Sequence, residues 1–275
     1  MDDKNDVINY DFILSIDVGI KNCSYIILRN NYHKDNTVDN IATKLDIDKF
    51  KNLDFSNGEN CNSISLMQLN NNIIKSFKEE FDDFFNFTDR IEAEVLILIE
   101  DQMSGRMKCI QNMMASYFII NHYGYFDYNI VFFVSPKQKL KPFNEKGQDH
   151  GGIPRQPPTS SGIETPTSSG IVAGCNNHNK NKNKANFIMD NKMIPLMKAE
   201  CLDGDGNPKV FEREKNSTIM ERPEQKVFNM NNFIDYYNGL KKQDDMADAF
   251  LQALYYLLNP FTSAENKLIN NRYFK

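Results

Sequence analysis

Apolar residues along this chain occur both in short continuous runs and in helically spaced sets, a mixture typical of an α/β domain. The continuous runs, which we expect to be strands, cover residues 11–18, 24–29, 94–99 and 129–134. A short glycine-containing turn at 19–22 joins the first two runs and predicts a β-hairpin. The last two runs are uninterrupted by polar residues, as expected of strands that are buried on both faces of a sheet.

Three segments carry apolar residues at the three- and four-residue spacing of amphipathic helices. They are residues 65–87, 106–121 and 243–258. The last of them is the strongest helix prediction in the chain, because almost every position beyond its acidic first turn is apolar, and Pro260 ends it. The sequence therefore predicts a sheet with helices packed against it.

Two polar regions interrupt this pattern and define the expected domain organisation. Residues 30–63 are rich in Asn and Asp and are a possible insertion, with a third strand predicted near 41–47. Residues 147–184 are dominated by Gly, Pro, Ser, Thr and Asn, a composition that favours a disordered insertion. The core is thus expected to come from 1–146 and 185–275. Helical patches in the second part should break at Pro195.

Composition and charge narrow the function classes. With 275 residues, 40% of them hydrophobic, the chain can form one sizeable core. The net charge of −5 argues against a broad nucleic-acid-binding surface, but lysines cluster at 137–141 and 179–184, where the local field would attract phosphates. Five scattered cysteines without a CxxC pair favour free thiols in a reducing, intracellular compartment. We expect no signal peptide and no membrane partner.

Four carboxylates stand at positions that predict chemistry. Asp17 and Glu100 end two apolar strand segments, and Asp245 and Asp248 are three residues apart, which places them on one face of the last helix. Buried carboxylates repel one another unless a cation neutralises them, and Mg²⁺ prefers oxygen ligands. Taken singly, each acid has an ordinary explanation, such as capping of the helix by the aspartates. Together and in this order, they favour a two-metal phosphodiester hydrolase.

The motifs that contain these acids resemble those of the RuvC-like Holliday junction resolvases. Four short blocks carry the resemblance, which extends over about half of the chain: 15–22 (SIDVGIKN), 99–102 (IEDQ), 134–140 (VSPKQKL) and 241–248 (KKQDDMAD). The most similar version is that of poxviruses and other large cytoplasmic DNA viruses, to which the fungal mitochondrial resolvases are related.

The resemblance implies an α/β fold of the RNase H-like type (ribonuclease H superfamily), with a central mixed sheet flanked by helices. It also implies a crossover junction endodeoxyribonuclease, active in DNA recombination and repair as a homodimer that nicks opposed strands of a four-way junction. An isologous dimer suits the two-fold symmetry of that substrate. In a viral setting the protein would act in the host cytoplasm or belong to the virion.

By the same resemblance, Mg²⁺, or Mn²⁺ in its place, would be held by four catalytic acids: Asp17, Glu100, Asp245 and Asp248. Asp244 is the alternative to Asp245 if the helix register differs by one residue. Lys139 would be a catalytic residue as well, since it matches a basic residue near the active site of these resolvases that could contact the scissile phosphate. The further DNA-binding residues would be Gly19, Lys21, Asn22, Lys137 and Lys141, where Gly19 permits a close approach of backbone to phosphate. Lys137 is also the alternative to Lys139, and ordinary solvated lysines remain an equal explanation for the basic residues.

Three other functions compete with junction resolution. The same metal chemistry could act on flaps or RNA–DNA hybrids, because a metal site does not by itself select the substrate. The strand-Asp-x-Gly motif also opens the actin-like and sugar kinase ATPases, although no second phosphate loop is visible and Asp245 and Asp248 would have no role. A non-catalytic module that binds branched DNA is the third alternative.

Overall fold

The central element of the fold is a five-stranded mixed sheet. A computed structural model describes residues 10–30, 46–103, 105–122, 130–136, 138–143, 183–200 and 230–259. The strands are β1 (Phe12–Asp17), β2 (Cys23–Arg29), β3 (Asp46–Leu53), β4 (Val95–Glu100) and β5 (Ile130–Val134). They lie in the order β3-β2-β1-β4-β5, with β2 antiparallel to both neighbours and β4 and β5 parallel to β1.

Helices cover both faces of the sheet. The helices are α1 (Leu66–Arg90), α2 (Gly105–His122), α3 (Ile194–Glu200), α4 (Met230–Gly239) and α5 (Asp244–Leu258). Successive residues of a strand point to opposite faces, and β1 shows this directly. Leu14 and Ile16 join the core beneath α1 and α2, whereas Ile13 joins the core beneath α4 and α5. The predicted α/β class with a central mixed sheet flanked by helices is confirmed.

The two faces are packed differently. On the α1 and α2 side, buried aromatic rings dominate, and Phe77 meets Phe81 and Phe118 with ring centroids 5.1 and 5.2 Å apart. On the α5 side, aliphatic and methionine side chains form most of the core, and α5 itself presents alanines such as Ala247 where it packs on β1 and β2. Close packing of α5 matters for function, because its first turns carry two of the predicted catalytic acids.

The helix expected to break at Pro195 does not break there, so that prediction was wrong. A π-helical turn, Met189–Met193, runs directly into α3, and Pro195 is the second residue of α3. The amide of Ile194 donates to the carbonyl of Met189, five residues back. This wider turn accommodates a proline ring that would clash in a regular α-helix.

The polar regions are described only in part. The third strand, predicted near 41–47, lies at Asp46–Leu53, where it pairs with β2 along the sheet edge. Of the low-complexity segment 147–184, only the last two residues are described, and both are helical. The rest of that segment and Lys137 lie outside the described residues. Among the helices that are described, none has the length and apolar character needed to cross a membrane.

Candidate active site

The topology of the sheet brings Asp17 and Glu100 together. Strands β1 and β4 are parallel neighbours in register from Phe12–Val95 to Ile16–Ile99, so the next residues, the two acids, lie side by side at the carboxyl edge of the sheet. Asp17 is buried, and the Glu100 side chain is nearly so. Parallel neighbours ending at the same edge give the pairing that the sequence pattern predicted.

Helix α5 supplies the other two acids. Its N-cap is Gln243, so neither Asp245 nor Asp248 is the capping residue, and both are buried. Oxygen atoms of Asp17, Glu100 and Asp248 all lie within 4.8 Å of one another. Asp245 is outside that group of three but lines the same cleft, whereas Asp244 is not among the lining residues.

Lys139 lies among these acids, in the turn that follows β5. Its Nζ is 2.9 Å from Glu100 Oε1 and 2.7 Å from Asp248 Oδ2, and only 3% of its side chain is exposed. Burial acts to lower the pKa of this ammonium, but the surrounding carboxylates of Asp248, Glu100 and Asp17 outweigh it and raise the pKa above its usual value. Lys139 therefore stays charged at the centre of the cluster.

The pKa values of the two strand-end carboxyls are shifted in opposite directions. Burial raises the pKa of Asp17 well above its ordinary value, and the charges of Glu100 and Asp248 raise it further against the opposing effect of Lys139. Burial also acts upward on Glu100, yet its pKa is lowered because Asp17, Lys139 and the Gln102 amide donate hydrogen bonds to it. Asp17 is therefore the first of the two carboxyls to take up a proton, and its protonation relieves part of the like-charge repulsion.

The donor set fits a hard divalent cation. All three clustered side chains offer carboxylate oxygens, which are the ligands that Mg²⁺ and Mn²⁺ prefer. The Lys139 ammonium already acts as a cation between Glu100 and Asp248, so the carboxylates are arranged around positive charge. When all three carboxylates are ionised, as metal ligands are, the cluster and Lys139 together carry a formal excess of two negative charges, which a divalent ion would neutralise.

An open cleft of about 480 Å³ leads to the acids. Its lining residues are Asp17, Val18, Gly19, Ile20, Lys21, Asn22, Cys61, Glu100, Gln102, Met107, Lys242 and Asp245. Three of the predicted DNA-binding residues, Gly19, Lys21 and Asn22, are thus brought to the cleft. Lys141 is exposed at the start of a 3₁₀ turn, Lys141–Phe143, and is not among the lining residues.

The structure explains why position 19 requires glycine, which the sequence analysis did not. A Cβ at this position would lie 2.3 Å from the carbonyl oxygen of Asn22, which is backbone and cannot move aside cheaply. The hairpin loop is therefore tight enough to require glycine by its own geometry. The same tightness fixes the position of Lys21 and Asn22 at the mouth of the cleft.

Two residues at the site were quoted in the motifs but given no role by the sequence analysis. Gln102 donates from Nε2 to Glu100 Oε2 at 2.9 Å, and its own backbone amide donates to the side chain of buried Gln111 at 2.9 Å. Lys242 pairs with Asp245 and lies 3.8 Å from Asp244 Oδ2. Their positions next to the acids in the IEDQ and KKQDD strings were the available signal.

No family model matches the sequence, and no curated protein matches it. Among solved structures, the chain is similar to the fowlpox virus Holliday junction resolvase (13% identity, 90% of this chain and 98% of that one covered, TM-score 0.41). It is also similar to the yeast mitochondrial Holliday junction resolvase Ydc2 (16% identity, 98% of this chain and 86% of that one covered, TM-score 0.46). A third similar structure is that of Thermus thermophilus RuvC (9% identity, 47% of this chain and 67% of that one covered, TM-score 0.32). These neighbours are of the kind that the sequence motifs resemble.

Proposed function

We propose that this protein is a divalent-cation-dependent endonuclease that resolves four-way and other branched DNA, with Asp17, Glu100, Asp245 and Asp248 as its metal ligands. The observation that carries the proposal is the meeting of Asp17, Glu100 and Asp248 within 4.8 Å around a buried lysine at the carboxyl edge of the sheet. An ATPase of the actin-like kind would have no use for that lysine and the α5 aspartates.

The residues of the cleft have distinct tasks in such a reaction. Bound Mg²⁺ or Mn²⁺ would activate a water molecule for attack on a phosphodiester and stabilise the leaving oxygen. Asp17, whose raised pKa favours its protonated form, would have to be ionised to serve as a ligand, since metal ligands bind deprotonated. Lys139, fixed by Glu100 and Asp248, would present its ammonium to the scissile phosphate.

The rim of the cleft suits a nucleic-acid backbone. Lys21 and Lys242 both line it and offer ammonium groups to phosphates, while Asn22 offers an amide that can hydrogen-bond to phosphate oxygen. For the assembly we propose a homodimer, because two cleavages related by symmetry require two clefts related by the two-fold axis of a junction.

A cleavage assay tests the proposal. Full-length protein is incubated with a synthetic four-way junction and with linear duplex of matched sequence, in Mg²⁺ and in chelator. We expect paired nicks in the junction with Mg²⁺ and none in chelator. Adding a flap and an RNA–DNA hybrid separates junction resolution from the same chemistry on another substrate. Junction binding without any cleavage in Mg²⁺ or Mn²⁺ would favour the non-catalytic alternative.

Glu100→Gln and Asp101→Asn form a matched pair for the same assay. Glu100 belongs to the carboxylate cluster, whereas its neighbour Asp101 is half-exposed and pairs with Lys108 on α2. We expect cleavage to be lost in Glu100→Gln and kept in Asp101→Asn. Equal activity of the two variants would contradict the assignment of the metal ligands.

A further inference from the structure

Two lysines neutralise the carboxylates of the cleft, and they do so from opposite environments. Lys139 is almost fully buried and is held by two carboxylates. Lys242 approaches from the solvent side, with 49% of its side chain exposed, and pairs with Asp245, of whose side chain only 5% is exposed. One ammonium is thus part of the interior of the site, and the other is a half-exposed partner of the buried Asp245 that also lies near Asp244.

The location of Lys242 makes this pair easy to open. It lies in the turn between α4 and α5, three residues before Asp245, and lines the cleft beside that acid. Its side chain is a flexible four-carbon stem that ends in a strongly hydrated ammonium. Leaving Asp245 for solvent would therefore cost Lys242 little, whereas Lys139 would have to abandon two buried partners.

The pairing also accounts for the position of Asp245 relative to the other acids. Asp245 shares the cleft with Asp17 and Glu100 but is outside the group whose oxygens lie within 4.8 Å. Its Oδ2 atom is directed to Lys242. A carboxylate engaged in this way already has a cationic partner, and a second cation must compete for it.

We propose that Lys242 is a displaceable counter-cation of Asp245 that sets how tightly the cleft takes up a divalent cation. This inference rests on the proposed function, in which Asp245 is a metal ligand. A divalent ion and the Lys242 ammonium compete for the same carboxylate. Pairing of Lys242 with Asp245 therefore weakens ion binding by the same factor by which ion binding weakens that pairing. Lys242 is a positioning residue in this scheme, since it acts through Asp245.

Calorimetric titration of the full-length protein with Mn²⁺, in the absence of DNA, tests the inference without relying on cleavage. Removing the competitor in Lys242→Gln should tighten Mn²⁺ binding about threefold to fivefold, the upper part of the range expected for an exposed ion pair. Lys241→Gln is the matched control, because Lys241 is the adjacent exposed lysine and is not among the residues that line the cleft. It removes the same charge and should change the affinity less than twofold.

Lys242→Arg completes the set. Because it keeps a cation beside Asp245, it should hold Mn²⁺ affinity near that of the wild type. Equal tightening in Lys242→Gln and Lys241→Gln would show that only the general field of the protein is involved and would overturn the inference. Weaker Mn²⁺ binding in Lys242→Gln would overturn it as well.

The titration also separates failure of this inference from failure of the proposed function. If the wild type binds Mn²⁺ and Asp248→Asn loses that binding, the metal site stands, and the three lysine variants decide the role of Lys242 alone. If the wild type binds no Mn²⁺, the metal site itself is wrong, and the role proposed for Lys242 is overturned with it. Thermal unfolding of each variant checks that the fold is intact.

Discussion

Two groups of buried carboxylates in this protein are neutralised to different degrees. On α1, Glu80 accepts hydrogen bonds from Tyr25 and from Lys51 at 2.6 Å, and Lys49 Nζ is 2.7 Å from its other oxygen. One negative charge thus meets two positive charges and a hydroxyl. At the carboxyl edge of the sheet the proportions are reversed among the described residues, because three clustered carboxylates surround the ammonium of Lys139.

The difference separates a structural ion-pair network from a site that still needs positive charge. Glu80 links α1 to β2 and to the edge strand β3, and its partners stabilise its ionised form. The cluster of Asp17, Glu100 and Asp248 instead retains repulsion that folding alone does not relieve. Natural proteins retain unfavourable repulsion of this kind at sites where function requires it. Variants in each group should therefore affect different properties.

The largest effect is expected for Asp248→Asn. Removing this charge takes away one of the three clustered ligands and one partner of Lys139, so cleavage of a four-way junction should fall by roughly 10³-fold or more. Junction binding should survive, because the rim lysines Lys21 and Lys242 are unchanged. Gel-shift and cleavage measurements on the same preparation check both statements. Wild-type cleavage by this variant would remove the acid cluster from the mechanism.

Lys139→Met should affect both activity and stability. Without the ammonium, Glu100 and Asp248 lose the buried counter-charge that they share, which should lower the free energy of unfolding by about 3 kcal/mol in chelator. Mg²⁺ should restore much of that loss, since it supplies positive charge at the same carboxylates, while cleavage stays reduced by roughly 10²-fold. Urea unfolding with and without Mg²⁺ measures the first effect. A loss of stability that Mg²⁺ does not repair would argue against cation binding here.

Glu80→Gln, in contrast to Asp248→Asn, should reduce the stability of the fold without changing the rate of cleavage. It leaves two lysines and a tyrosine without their acid, at a cost of about 2 kcal/mol near neutral pH. Burial raises the pKa of Glu80, but hydrogen bonds from Lys49, Lys51 and Tyr25 outweigh it and leave the pKa below 4.5.

The sign of the pH dependence follows from that lowered pKa. The stabilisation by Glu80 is complete above the unfolded value near 4.5 and is lost as the pH falls through the lower folded value. Unfolding free energies of wild type and Glu80→Gln should therefore converge at acidic pH, and cleavage per folded molecule should be equal at neutral pH. A difference in stability that grows on acidification would contradict this account.

The contrast between the two groups also shows how far the sequence could predict the structure. Asp17, Glu100, Asp245 and Asp248 were identifiable because each follows or opens an element with a strong apolar pattern, and parallel strands bring their carboxyl ends together. Glu80 was not identifiable, since its partners lie 55 and about 30 positions away, on strands whose register no local pattern specifies. Strand β3 was displaced in the prediction for a related reason, because it is an edge strand with alternating and largely polar residues.

Local rules failed at Pro195 and were incomplete at Gly19. A proline normally ends a helix, but the π-helical turn that tolerates Pro195 depends on burial of Met189 and Met193 in the core around α5, which is a tertiary effect. For Gly19, the sequence indicated a permissive backbone but not the reason, which is the approach of the Asn22 carbonyl. The pairing of Lys242 with Asp245 was within reach of the sequence, because residues three apart meet at a helix start.

The smallest effect, and the most direct comparison of the two groups, is expected for Asp17→Asn in the absence of divalent ions. The raised pKa of Asp17 means that the folded protein holds a proton that the unfolded chain releases, so its contribution to stability is full below the unfolded value and is lost as the pH rises towards the folded one. An amide removes this penalty and can still donate to Glu100. We expect Asp17→Asn to be more stable than wild type by about 1 kcal/mol at neutral pH in chelator.

Adding Mg²⁺ should then make the wild type more stable than Asp17→Asn. Saturating cation stabilises only the form that binds it, by about 2.7 kcal/mol at a concentration one hundred times the dissociation constant. The wild type should gain this stability, and Asp17→Asn should gain little because it lacks a ligand. Urea unfolding at matched ionic strength, with Na⁺ replacing Mg²⁺ in the control, measures both states. If Asp17→Asn is less stable than wild type in chelator, the ionised carboxylates at the sheet edge are stabilised by their surroundings as Glu80 is by its lysines, and the distinction between the two groups disappears.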